Sequence, residues 1–341
     1  MGLPGSILAF GLGQAWIGIG LAIGTSLNWM FVAKRLRCFS KAAGDSITLP
    51  QYLSNRFASK SHALQVVSAV IFLVCFTVYV ASGFVAGASV FNELFPSLGE
   101  SRAMLIFAFI IIVYTFLGGF NAVCWTDFFQ GLLMLVALLA VPIMIMFTQN
   151  PDASALANTI VGSDGTQYTF VANFFNASWQ DIVSGLAWGL GYCGMPHILV
   201  RFMSIEKPSM IKKSATVAII WVVISLACTI LLAYYGRMFI GEELLVDGNQ
   251  KLVFVRLARK LFHPFVAGIL LAAIIAASMS TADSQLLVAS SSFTSDIYKP
   301  VIRKNASEKE VLWVGRIVVL AVSVIAYFIA SSKGSGYNGN G

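Results

Sequence analysis

The sequence predicts an all-α polytopic membrane protein, and three observations carry that class. Hydrophobic residues make up 58% of the 341 and charged residues only 11%, against about 25% charged in a typical soluble domain. The mean hydropathy is +0.82, more apolar character than a soluble chain of this size can hide from water. The charges also spare long stretches: none falls within 1–33, 61–92, 103–126, 128–151, 182–200, 214–236 or 261–282. Most of these approach the roughly 20 residues that cross hydrocarbon as a helix. Lipid offers the backbone no hydrogen bonds, which forces helices, and the alternating ten-residue segments of a β-barrel are absent. A soluble enzyme, a disordered tail and a disulfide-stapled secreted module are excluded.

Charged and turn residues punctuate the chain into about eight spans: 10–33, 63–92, 102–119, 122–148, 181–203, 209–239, 263–290 and 309–332. A short apolar stub precedes them at 1–8, where Gly2-Leu3-Pro4-Gly5 reads as a helix break. The first five residues carry no charge, so no signal-peptide n-region is present. Residues 333–341 are polar, linker-like coil. Cys38, Cys75, Cys124, Cys193 and Cys228 have no metal-ligand spacing and read as small core hydrophobes.

The +7 net charge and pI near 9.2 set orientation and do not mark a nucleic-acid site, because the basic residues sit between apolar runs. Loop 34–62 holds Lys34, Arg35, Arg37, Lys41, Arg56 and Lys60; loop 201–213 holds Arg201, Lys207, Lys212 and Lys213; loop 298–309 holds Lys299, Arg303, Lys304 and Lys309. These three loops are cytoplasmic by the positive-inside rule, and the opposite loop 149–180 has no Lys or Arg. The segment 241–260 dissents with Lys251, Arg256, Arg259 and Lys260. Its interleaved Val253, Val255, Leu257 and Leu261 predict a surface amphipathic helix that caps the bundle.

Three polar clusters interrupt the apolar pattern. In Ala277-Ser278-Met279-Ser280-Thr281-Ala282-Asp283-Ser284-Gln285, Ser280 and Thr281 follow Ala277 by three and four residues. The Ala277 carbonyl therefore points toward their side of the helix, and one carbonyl plus two hydroxyls makes half of a hard-cation site. Helix glue and hydroxyl back-bonding are the commoner explanation of such residues from composition alone. In the second cluster Trp188 and Tyr192 share a helix face among Gly189, Gly191, Gly194 and Pro196. Glycine- and proline-interrupted spans mark a transporter's midplane site, or else a kinked helix with close-packed neighbours. Nearby His197 reads as a structural residue. In the third, Gly118-Gly119 leads into a helix whose early turns carry Asp127, which serves either as an N-terminal helix charge or on an ion path.

These stretches, with Thr48-Leu49-Pro50 and Met279 through Leu287, resemble the sodium/solute symporter family, and within it the sodium/proline symporter branch. The resemblance runs from residue 1 to about 332. It implies a LeuT-like bundle of inverted five-helix repeats, present here as an N-terminal half helix followed by core helices two to nine. The family's earlier helix, the inner half of its first core helix and its tenth core helix are missing, so the chain resembles a symporter truncated at both ends.

On that resemblance, sodium is held by Ala277, Ser280 and Thr281. The substrate pocket uses Tyr79, Trp188, Tyr192 and Pro196. Asp127, with Ser284 and Asp283, belongs to a second sodium site or ion path. Met195 stands where the family commonly has a polar residue. The implied function is sodium-coupled uptake of L-proline across a bacterial inner membrane, with Na+ as coupling ion, no other cofactor, no nucleic-acid partner and no enzymatic step. The alternatives are another solute, such as pantothenate or another amino acid, a non-transporting sensor, or an inactive fragment.

Overall fold

The structure, a computed structural model, describes residues 2–148 and 153–334. The helices in chain order are α1 (Gly2–Phe10), α2 (Ala15–Leu27), α3 (Lys34–Ala42), α4 (Leu49–Arg56), α5 (Ala63–Leu94), α6 (Glu100–Thr148), α7 (Trp179–Cys193), α8 (Pro196–Met203), α9 (Ile211–Val246), α10 (Val253–Leu261), α11 (Pro264–Phe293) and α12 (Glu308–Gly334). π-Helical turns at Asn28–Ala33 join α2 to α3, and others at Thr294–Ile302 extend α11. Among the described residues, six helices are long and apolar enough to cross a membrane.

The expected eight spans differ from that count for two local reasons. Gly119, at φ 68° and ψ −174°, breaks α6 into the anticipated pair without a loop. The expected span 181–203 is interrupted at Gly194 and Met195, so α7 and α8 are each short. The predicted break at Gly2–Gly5 is not found, because Pro4 sits in the first turn of α1, where no intrahelical N–H is needed. The chain breaks instead at Gly11, whose φ of 92° and close approach to Val171 leave no room for a side chain. Residues 34–62, read as a loop, contain α3 and α4. Residues 335–341 of the expected polar tail lie outside the described residues, and α12 continues to Gly334.

The chain divides into two compact units. The first comprises Met1–Lys34, Leu132–Met195 and Glu206–Ala273. Here α2 packs on α7 along a seam of glycines: a Cβ on Gly24 would lie 2.3 Å from the Gly189 carbonyl oxygen, and one on Gly20 2.3 Å from that of Gly185. Four-residue spacing on both helices brings the backbones together, as small residues do in membranes. The expected loop 149–180 contributes a two-stranded hairpin, Ile160–Val161 against Gln167–Tyr168. At its turn Asp164 accepts the Thr166 N–H and hydroxyl at 2.9 and 2.8 Å. The hydrogen bond from the Thr166 N–H, more than any other cause, holds this carboxyl below the usual range. Arg237 of α9, 2% exposed, points its guanidinium at the carbonyls of Leu8, Asn158 and Tyr168.

The predicted amphipathic helix is α10. Its Val253, Val255, Leu257 and Ala258 are wholly buried, with Val253 and Leu257 against Gly236 of α9. The apolar face thus packs on protein and not on the membrane surface.

The second unit comprises Arg35–Gly131, Pro196–Ile205 and Ile274–Gly341. Its core joins α5, the first half of α6, α11 and α12 through Phe76, Val80, Phe84, Phe107, Ile111, Leu286, Val319 and Val322. The other face of α5 exposes Val67, Val70, Ile71, Val74 and Val78, a lipid-facing stripe. The expectation of buried cysteines holds only for Cys228; Cys38 and Cys75 are exposed and Cys124 and Cys193 half-buried.

Candidate functional site

The first polar cluster lies on α11. The Ser280 hydroxyl donates to the Ala277 carbonyl at 3.0 Å, and the Thr281 hydroxyl to the same oxygen at 3.2 Å. Helical spacing therefore gathers three neutral oxygens within one turn. Each hydroxyl keeps its lone pairs for a cation, and the donor set suits a hard ion that takes oxygen ligands.

Less than one turn further on, the helix presents two different environments. Asp283 is fully buried and accepts the Tyr114 hydroxyl from the first half of α6. Ser284 instead faces Asp127 of α6, donating to its carboxylate at 3.2 Å. Arg201 of α8 completes this second group: one nitrogen of its guanidinium donates to the Ser284 oxygen at 2.7 Å and also pairs with Asp127. Asp127 and Ser284 are thus brought together, while Asp283 turns to Tyr114.

Arg201 and Ser284 of this triad line a cavity of about 430 Å³ whose walls include Phe72, Phe120, Cys124, Pro196 and Thr48. Close to the cavity wall at Thr48, Asp296 is fully buried and accepts the Thr48 hydroxyl at 2.7 Å and the Gln65 amide at 2.9 Å. His197 also lines the cavity and meets Phe76 edge to face with ring centroids 5.9 Å apart.

The residues expected in the substrate pocket fall in both units. Trp188 and Tyr192 share a face of α7 in the first unit, Trp188 being 58% exposed. The Asn28 side chain donates to the Tyr192 carbonyl at 3.2 Å, tying the end of α7 to the π-helical turns after α2. Tyr79, on α5, and Pro196, the first residue of α8, belong to the second unit. Of the glycines around them, Gly189 is a close-packing residue, whereas a Cβ on Gly191 would meet nothing within 4 Å.

Sequence reasoning missed Arg201, Tyr114, Gln65 and Asp296. Arg201 was counted among the loop charges, yet it lies inside the apolar run Pro196–Met203, and an arginine within such a run is itself the signal of an internal partner. Asp296 carried a similar signal as an acid closing the hydroxyl-rich end of α11.

The model of the sodium:solute symporter family matches residues 1–337. The chain is 40% identical over 333 residues to the high-affinity proline transporter PutP of Bacillus subtilis (strain 168), covering 98% of this chain and 69% of that protein. It is 42% identical to the sodium/proline symporter of Haemophilus influenzae Rd, covering 98% and 67%, and 39% identical to that of Escherichia coli K12, covering 97% and 66%. The chain therefore spans about two-thirds of the length of these relatives. A solved structure of a Na+-coupled sialic acid symporter in its substrate-bound outward-open state aligns with a TM-score of 0.68 at 18% identity, over 97% of this chain and 77% of that one. That similarity shows a shared fold, the symporter bundle expected from the sequence. The chain is a multi-pass integral membrane protein and belongs to the sodium:solute symporter family.

Proposed function

We infer that this protein couples the inward movement of sodium to the uptake of L-proline across a bacterial inner membrane. The observation that carries the reading is the identity of about 40% to relatives named as proline transporters, sustained over 97–98% of this chain. No bond is made or broken. The Ala277 carbonyl and the Ser280 and Thr281 hydroxyls supply oxygens to the sodium ion, the hydroxyls rotating their protons away from Ala277 as the ion arrives. Trp188 and Tyr192, which share a face of α7, supply aromatic surface for the pyrrolidine ring, and aromatic faces attract its secondary ammonium. Coupling requires that both ligands favour the same conformers, and the effect is then reciprocal: proline raises sodium affinity by the factor by which sodium raises proline affinity.

The test is uptake of labelled proline into vesicles containing the protein, with an inward sodium gradient and with choline in its place. Uptake indifferent to sodium rejects the coupling. Failure of excess unlabelled proline to compete, where pantothenate or another amino acid does, reassigns the solute. Ser280→Ala and Thr281→Ala each raise the sodium concentration for half-maximal uptake about tenfold, the equivalent of ~1.4 kcal/mol of lost ion affinity. Unchanged sodium dependence in both removes these hydroxyls from the ion site.

A further inference from the structure

Resting on the sodium-coupled reading, a second feature of the same unit bears on how many ions the protein binds. Asp127 and Ser284 together form the beginning of a hard-cation site: a carboxylate and a hydroxyl whose oxygens converge, with Ser284 on a cavity wall and Asp127 behind it. A cation already lies there. The same nitrogen of Arg201 that pairs with Asp127 donates to Ser284, so the guanidinium bridges the two oxygens in the manner of a metal ion. Asp127 is 9% exposed as a side chain, so its charge needs a counter-charge. A guanidinium stays charged at every accessible pH and cannot neutralise the pair by losing its proton.

We propose that Arg201 is a built-in cation that takes the place of a second sodium ion at Asp127 and Ser284, so that the protein binds one sodium, at Ala277, Ser280 and Thr281. A guanidinium and a sodium ion cannot both lie against the same carboxylate oxygen without repulsion. The other oxygen of Asp127, Oδ1, is buried without a hydrogen-bond partner among the described residues. It is a ready ligand once the guanidinium is gone. The Arg201 side chain is 44% exposed and lines the cavity, which gives a displacing ion a route of entry.

The experiment counts ions directly, by equilibrium binding of ²²Na+ to the purified protein in detergent without proline. The wild type binds one sodium per chain. Arg201→Gln, which keeps length and polarity and removes the charge, binds two. Arg201→Gln with Asp127→Asn returns to one, and Arg201→Lys stays at one because the ammonium preserves the charge. Wild type at two, or Arg201→Gln at one, overturns the proposal; the latter includes the case in which Asp127 takes up a proton instead.

Should Arg201→Gln fail to yield folded protein, Ser280→Ala with Thr281→Ala in the presence of Arg201 decides the matter. Sodium binding then falls to zero if the guanidinium fills the second position. A remaining ion abolished by Asp127→Asn overturns it. Proline uptake separates this proposal from the coupling it rests on. Sodium-independent uptake with a ratio that still steps from one to two rejects the coupling and leaves the built-in cation. Sodium-dependent uptake with an unchanged ratio does the reverse.

Discussion

Two arginines, one in each unit, show how the same side chain serves two ends in an apolar protein. Arg237 is 2% exposed and meets main-chain carbonyls: Leu8 at 3.4 Å, Asn158 at 2.9 Å and Tyr168 at 3.1 Å, with the Phe170 ring centroid 5.8 Å away. Arg201 is 44% exposed on a cavity wall and meets side chains, the Asp127 carboxylate and the Ser284 hydroxyl. Carbonyls of a folded backbone cannot leave, so a guanidinium among them ties the hairpin segment to α1 and α9. A carboxylate and a hydroxyl at a cavity can exchange one cation for another. The partner's chemistry, more than the arginine's, separates a structural tie from a site.

The sharpest way to break this comparison is Arg237→Leu. It takes the guanidinium away from the Leu8, Asn158 and Tyr168 carbonyls, the first and last of them in buried residues; a buried acceptor that loses its partner costs about 1–3 kcal/mol, so destabilisation of that order is expected. A lowered thermal midpoint in detergent, with faster proteolysis in 153–178, reports it; an unchanged midpoint refutes the structural role. Gly24→Ala comes next. Its Cβ would lie 2.3 Å from the Gly189 oxygen, so α2 and α7 must separate, at about 1–3 kcal/mol for overpacking. Gly191→Ala, two residues along α7 in open space, is the matched control and leaves the midpoint in place. Equal effects at the two glycines would mean that the seam is not what holds these helices.

How much of this was legible follows from which forces are local. The apolar runs became helices because lipid leaves the backbone no other solution; of the breaks, the one at Gly118-Gly119 was signalled locally, whereas the one at Gly11 answers to the close approach of Val171 from far along the chain. The Gly118-Gly119 pair divides α6, and Ser178 caps α7 through the Asp181 N–H. The Ala277, Ser280 and Thr281 oxygens converge for the same reason, since three- and four-residue spacing is intrinsic to a helix. Arg201 was misjudged because charge counting treats every basic residue as a loop marker, while its partner Asp127 lies 74 residues away in sequence. Asp296 and its partners Thr48 and Gln65 are more distant still, separated by 248 and 231 residues. The helical character of α10 was readable from its own alternation of charged and apolar residues. What covers its apolar face depended on Gly236, outside the segment.

The two acids beside Ser280 and Thr281 carry the comparison into the second unit. Asp283 is fully buried and served by Tyr114, so Tyr114→Phe removes a hydrogen bond that no ion replaces. A loss of about 1–3 kcal/mol is expected for a buried acceptor left without its partner, the same in sodium and in choline. Sodium rescue of that variant would place Asp283 in an ion site after all. Arg201→Gln behaves differently. A half-exposed ion pair itself contributes on the order of 1 kcal/mol or less, but its loss strands the Asp127 charge, and a sodium ion can then take the vacant position. Ion binding to the folded state adds RT ln(1 + [L]/Kd), about 1.4 kcal/mol when sodium is ten times the dissociation constant of the new site. The variant's thermal midpoint should therefore rise with sodium more steeply than that of the wild type, whose only gain comes from the site at Ala277. Parallel sodium dependence in the two proteins would make Arg201 a structural tie like Arg237 and erase the distinction between them.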